Sequence, residues 1–193
     1  MANEWDEYAD SWEKNQSTSI FADKAFENLT KTVDIKGKHI LDFGCGTGLL
    51  SQKMSPLAKD IVALDGSEAM IEQLDKKELD NVEPVVDLLT RGLVAQHPAF
   101  RKQFDLVVAS SVCGFLPNFS DVGDIIYSIL DHGGYFVHWD WCVEDDAVPY
   151  GLTKSRVEQV LTSIGFREVT VVEPFELETK QGVQKVLMGI AQK

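Results

Sequence analysis

The chain has 193 residues, a size that suits one domain with a sizeable core, and its 44% hydrophobic and 25% charged content is ordinary for a soluble globular protein. With 18 basic side chains against 31 acidic ones, its formal charge is −13, which disfavours nucleic acid and anionic membranes as partners. There is no apolar run long enough to span a bilayer, residues Met1 to Glu7 lack the regions of a secretory signal, and Cys45, Cys113 and Cys142 show neither a paired nor a metal-ligating spacing, so a cytoplasmic protein without a metal is expected.

Trp5, Tyr8, Ala9 and Trp12 recur at steps of three and four residues and predict a helix with one apolar face. A second helix is expected from about Ile20 to Thr32, with Phe21, Ala25, Phe26 and Leu29 inward. Strands are then predicted at 39–43, 61–64, 82–86, 104–109 and 135–139. Helices are predicted between them at 47–54, 67–74, 90–100 and 120–130. Apolar strands alternating with helices imply a parallel sheet covered on both faces. Gly133-Gly134 is read as the turn into the fifth strand, and a helix over 153–164 is stopped by Gly165. Segments 168–175 and 183–191 are strand-like with only the polar stretch 176–182 between them, which predicts an antiparallel hairpin. The sum is an α/β domain over residues 1–193 with a seven-stranded, mostly parallel sheet, entered through a helical segment 1–32.

The most informative stretch is Ile40-Leu-Asp-Phe-Gly-Cys-Gly-Thr-Gly-Leu-Leu50, followed by Ile61-Val-Ala-Leu-Asp65. It predicts a strand, a glycine turn, a helix and a second strand tipped by a carboxylate. A dinucleotide fingerprint beginning at Gly44 would need glycine at position 49, where Leu49 stands, and a phosphate loop would need a Gly-Lys-Ser/Thr that is absent. Asp42 sits poorly beside a pyrophosphate and well beside an ammonium or sulfonium group. Asp65 at the second strand tip is placed to accept hydrogen bonds from both hydroxyls of a ribose; the plainer reading is a turn or helix cap before Gly66-Ser67.

These motifs resemble the class I S-adenosylmethionine-dependent methyltransferases of the small-molecule type. The resemblance rests on Leu41–Gly48 and on Ala63–Met70. It continues in Phe104–Ser110 and Leu130–Tyr135. It implies a Rossmann-like sheet of order 3-2-1-4-5-7-6 with the last strand antiparallel. It also implies S-adenosyl-L-methionine as methyl donor and S-adenosyl-L-homocysteine as product. By the same resemblance, Gly44, Cys45 and Gly46 hold the methionine part and Asp42 faces its amino group. Asp65 binds the ribose with Gly66 and Ser67 beside it, Asp87 meets the adenine amino group, and Leu88 lies against the ring. Ala109 and Ser110 pass beneath the sulfonium, and Tyr8 and Trp12 belong to the N-terminal segment that covers the cofactor. Two departures stand out: Gly66 occupies a place where a larger residue often packs on adenine, and 88–103 is longer than usual.

The acceptor is expected beyond the carboxyl ends of the strands, between the N-terminal helix, Ser110–Phe119 and the loop 140–151. Trp5, Trp12, Trp139 and Trp141 fall in or near these segments, with Phe115, Phe119 and Tyr150. His138 and Asp140 share one face of the fifth strand and are candidates for a general base; the alternative is a hydrogen-bonded structural pair. Cys113 reads as a packing residue. Ser110-Ser111-Val112-Cys113 replaces the Asn/Asp-Pro-Pro-aromatic signature of nucleic-acid amino methyltransferases, so the expected partner is a small-molecule acceptor. A non-catalytic binding protein and a nicotinamide-dependent oxidoreductase are the competing classes.

Overall fold

The computed structural model describes residues 5–145, 148, 150–179 and 182–193. Its sheet contains seven strands: β1 (His39–Phe43), β2 (Asp60–Asp65), β3 (Val82–Val86), β4 (Phe104–Ser110), β5 (Leu130–Trp141), β6 (Arg167–Thr179) and β7 (Gly182–Gln192). Their spatial order is β3-β2-β1-β4-β5-β7-β6. The first five are parallel to one another, while β7 runs antiparallel to both β5 and β6. This is the sheet that the resemblance implies.

The helices are α1 (Gln16–Thr32), α2 (Leu49–Met54), α3 (Glu68–Asp75), α4 (Arg91–Gln96), α5 (Phe119–Ile129) and α6 (Lys154–Ile164). Local chemistry sets their ends. Asn15 caps α1 through the Ser17 amide, Ser67 caps α3 through Met70, and Thr153 caps α6 through Arg156. Each such cap is worth about 1 kcal/mol. Gly165, at φ 111°, ends α6 in a left-handed conformation.

Three expectations need correcting. The first expected helix, with Trp5, Tyr8, Ala9 and Trp12 on one face, is instead a 3-10 helix at Ala9–Lys14, and the second, α1, begins earlier than expected, at Gln16, because Asn15 caps it. The expected helix over 90–100 is broken into α4 and a 3-10 turn at Pro98–Phe100, where Pro98 cannot continue the α-helical hydrogen bonding. Gly133-Gly134 lies inside β5, and the register with β4 jumps there: Phe104 pairs with Leu130 but Leu106 with Tyr135. The hairpin strands also run further than expected, to Thr179 and from Gly182; residues 180 and 181 of the expected polar connection lie outside the described residues, as do 146, 147 and 149 of the expected acceptor loop.

Side-chain alternation divides the core between the two sheet faces. On the α5–α6 side, Val107, Phe119, Ile126, Phe136, Val157 and Leu161 are buried together. On the α1–α2 side, Phe21, Leu29, Ile40, Met54, Trp139 and Met188 form the second layer. Burying a side chain of this size contributes about 1.5–3 kcal/mol. The division decides which strand-tip residues reach the cavity described next.

Candidate functional site

A cavity of about 830 Å³ runs along the carboxyl ends of β1, β4 and β5 to the β6–β7 hairpin, beneath α1. That volume is suited to small molecules, whose sites span about 300–1,000 Å³. One end is built by Asp42, Gly44, Cys45 and Gly46; Ser110 and Ser111 form the middle; Trp141, Tyr150, Glu178 and Gln184 form the other end. Asn15, Ser17, Thr18, Phe21 and Ala22 contribute the α1 wall, and Trp5, Trp12 and Phe115 line the cavity as an aromatic group. Trp5 packs edge-on against both Trp12 and Phe115, with ring centroids 5.8 and 5.6 Å apart.

Asp42 is almost fully buried and accepts a 2.6 Å hydrogen bond from the Ser51 hydroxyl of α2. Burial raises its pKa from 3.8 to about 6; the Ser51 bond opposes that rise and the Asp65 charge adds to it. Such a group gains from a cation at the cavity wall, which would replace lost hydration with direct attraction. Burial likewise pushes the Cys45 thiol well above its ordinary range, so it is not a thiolate nucleophile.

The three glycines do different things. Gly44 (φ 68°) lies where a Cβ would sit 2.3 Å from Val112 Cγ2, and Gly48 (φ 79°) where one would sit 2.3 Å from Leu74 Cδ1. Both are needed for close packing as well as for backbone conformation. Only Gly46 turns its missing Cβ toward Trp12, whose Nε1 is 3.6 Å from that position at the cavity wall.

Asp65 ties this turn to the next. One carboxylate oxygen accepts from the Gly46 amide at 2.8 Å and the other from the Ser67 amide at 2.9 Å. Burial raises its pKa and these backbone bonds oppose the rise. The turn role and a ribose-binding role are compatible, because each carboxylate oxygen accepts more than one hydrogen bond. Ser67 donates to Asp6 at 2.5 Å while accepting from Met70, and Asp10 accepts from Gln73. The N-terminal segment is thereby laced onto α3. Gly66 is half-buried between Asp65 and Ser67.

Beyond Asp65, the Asp87 amide donates to the Asp65 carbonyl. Leu88 is 59% exposed and Val86 48% exposed, so an apolar shelf lies open beside the carboxylate. It is outside the cavity, whose lining likewise does not include Asp65, Gly66 or Ser67. Tyr8 is exposed and its ring packs on Trp5, not on the cavity. Ala109 is wholly buried among the α5–α6 core, leaving Ser110 as the β4 residue on the cavity.

His138 and Asp140 occupy the opposite face of the sheet. His138 Nδ1 and Asp140 Oδ2 are 2.7 Å apart, and the other Asp140 oxygen accepts from the Gly114 amide at 2.7 Å. The imidazole is stacked on Phe136 and neither residue lines the cavity. Cys113 is buried with them, the three offering atoms within 4.8 Å of one another. Trp139 and Phe119 are likewise core residues. The α1 wall falls within the helical segment 1–32 expected to cover the site, whereas the contributions of Ser51 and the β6–β7 hairpin are not among the sequence expectations; Ser51 alone has a local signal, a small polar residue on the helix following the glycine turn.

A protein-family model described as a methyltransferase domain matches residues 41–136, about half the chain. The chain belongs to the class I S-adenosylmethionine-dependent methyltransferases. Among curated methyltransferases, the ubiquinone biosynthesis O-methyltransferase of Shewanella pealeana is 31% identical over 103 residues, covering 52% of this chain and 42% of the relative. The chain thus spans less than half the length of that methyltransferase. A probable thiol methyltransferase 2 of Arabidopsis thaliana is 24% identical over 189 residues, covering 94% of this chain and 80% of the relative. The methyltransferase fold is shared with the DhpI–SAM–HEP complex (TM-score 0.78, 20% identity, 99% and 95% of the two chains). It is shared too with the N-methyltransferase NodS of Bradyrhizobium japonicum bound to S-adenosylhomocysteine (TM-score 0.76, 16% identity, 100% and 97%).

Proposed function

We propose that this chain transfers a methyl group from S-adenosylmethionine to a small-molecule oxygen, nitrogen or sulfur acceptor. The observation that carries the reading is the pair Asp42 and Asp65, set on neighbouring strand tips around one glycine turn, with Asp42 on the cavity wall and Asp65 bonded to the Gly46 amide behind it. Asp42 would hold the donor's ammonium group. Asp65 would take the ribose hydroxyls, with Gly66 and Ser67 beside them, and the shelf at Asp87 and Leu88 would take the adenine. Gly44, Cys45 and Gly46 would face the methionine part, and Ser110 the reacting centre.

The bound donor supplies an already activated methyl group, so the chain's task is alignment and exclusion of water. Alignment of two reactants contributes up to about 7–11 kcal/mol to lowering a barrier. Trp5, Trp12 and Phe115 would narrow the entrance, and the described part of the expected 1–32 lid, residues 5–32, would cover the donor, with Tyr8 at its outer surface; residues 1–4 lie outside the described residues. The cavity beside Ser110 would hold the acceptor in line with the donor's methyl group, so that the new bond to methyl forms as the carbon–sulfur bond breaks. His138 and Asp140 act through structure, since they lie across the sheet from the cavity. A cytoplasmic setting fits three unpaired cysteines. Among the described residues no helix is long and apolar enough to cross a membrane.

The test is calorimetric titration with S-adenosylhomocysteine, followed by mass-spectrometric detection of methylated products from a mixed acceptor panel. Binding and transfer are expected; absence of product-cofactor binding by folded protein overturns the reading.

A further inference from the structure

We propose that the acceptor binds as an organic cation, its positive group on Glu178 and its apolar body against Phe21, Trp141 and Tyr150. This rests on the methyl-transfer reading above and narrows it to a substrate class. The observation is the charge of the cavity wall. Among the described residues, its ionisable acids are Asp42 and Glu178, and no Lys, Arg or His lines it. Asp42 lies at the glycine turn, where the donor's own ammonium belongs. Glu178 lies at the opposite end, near the tip of the β6–β7 hairpin.

A carboxylate or phosphate acceptor would enter a space whose described wall holds two carboxylates and no basic side chain, at a desolvation cost that no described wall residue offsets. A cation meets the reverse situation. Glu178, itself exposed to solvent, supplies a charge-assisted hydrogen bond, and the half-buried rings of Trp141 and Tyr150, together with the buried Phe21, give an aromatic wall suited to an apolar body that carries positive charge. Phe21 and Trp141 already meet edge-to-face at 5.5 Å, so this end is a formed aromatic wall and not a set of loose side chains. The chain's charge of −13 steers cations toward the cavity from a distance.

Three phenols with tails of different charge separate the possibilities: tyramine, 4-ethylphenol and 3-(4-hydroxyphenyl)propionate. Their binding is measured by calorimetry on the protein saturated with S-adenosylhomocysteine, and again on the protein alone. Tyramine is expected to bind at least about tenfold more tightly than the propionate, with the neutral phenol between. Glu178→Gln should remove most of that preference, and Glu178→Lys should reverse it, while both variants keep wild-type affinity for S-adenosylhomocysteine. Equal binding of the three, tighter binding of the propionate, no binding of any of them at millimolar concentration, or a preference unchanged in Glu178→Gln would each overturn the proposal. The last outcome would assign the preference to the overall field. Loss of product-cofactor binding in the wild-type protein would instead strike the underlying reading, because charge preference is read separately on the protein alone.

Discussion

The Ser51 hydroxyl donates to Asp42 across 2.6 Å, joining the first helix after the glycine turn to the strand before it, with both groups out of solvent. This bond is the main attraction holding the Asp42 carboxylate ionised against burial, and even so its pKa rises from 3.8 to about 6. The folded protein therefore binds this proton more tightly than the unfolded chain does. The resulting stability is fully present below about pH 4 and is lost as pH rises through about 6; it amounts to about 3 kcal/mol. Asp42→Asn should flatten the pH 4–6 slope of thermal stability and raise the melting temperature at pH 7 by about 5 °C or more. The same variant should bind S-adenosylhomocysteine at least about tenfold more weakly. Thermal melts across pH and calorimetry check both halves.

The ionised form of Asp42 is the one that attracts an ammonium group. Affinity for S-adenosylhomocysteine should therefore hold steady above about pH 7 and fall toward about tenfold per pH unit below pH 6. Ser51→Ala removes a bond that favours the ionised form, so its fall should begin at higher pH. Calorimetric titrations at half-unit intervals on both proteins would show it.

Asp65 braces Gly46 and Ser67 as well as offering its remaining acceptor capacity. Asp65→Ala should weaken product-cofactor binding about ten- to a hundredfold and also lower stability by about 1–3 kcal/mol through the two amides left unpaired. Calorimetry together with urea denaturation separates the two effects.

Gly44→Ala combines an unfavourable φ with a Cβ 2.3 Å from Val112 Cγ2. A loss of about 2–4 kcal/mol is expected. Adding Val112→Ala should recover only the steric part. Denaturant titration of the single and double variants measures the remainder, which belongs to the backbone.

Asp140→Ala would leave both the His138 imidazole and the Gly114 amide without their buried partner. Stability should drop by about 3 kcal/mol or more, whereas S-adenosylhomocysteine binding at a temperature where the variant is folded should change less than about threefold. A collapse of kcat in a fully folded Asp140→Asn variant, with KM unchanged, would restore the pair to a direct part in the chemistry.

What the sequence reveals here is what is local in the chain. Asp42, the glycine turn and Asp65 are separated by one strand–helix–strand unit, so their spacing alone states their geometry. The alternation of β5 likewise places His138 and Asp140 together, but not on which side of the sheet: that depends on α5 and α6 packing over Phe136, a long-range matter. Tyr8 and Trp12 share a periodic pattern that breaks when the segment winds as a 3-10 helix, leaving one exposed and one at the cavity. Glu178 was illegible for a different reason. Only the strand order β5-β7-β6 carries a hairpin from the end of the chain back to a cavity begun at residue 42.

That hairpin return has a consequence for how such a protein changes over time. The groups suited to gripping the donor come from the middle of the polypeptide, whereas α1 and the β6–β7 tip, its two flanks, wall the remaining space. Under the methyl-transfer proposal, substitutions at the β6–β7 tip would reshape the space left for the acceptor while leaving the glycine turn untouched, so new substrate preferences would be reachable by small steps.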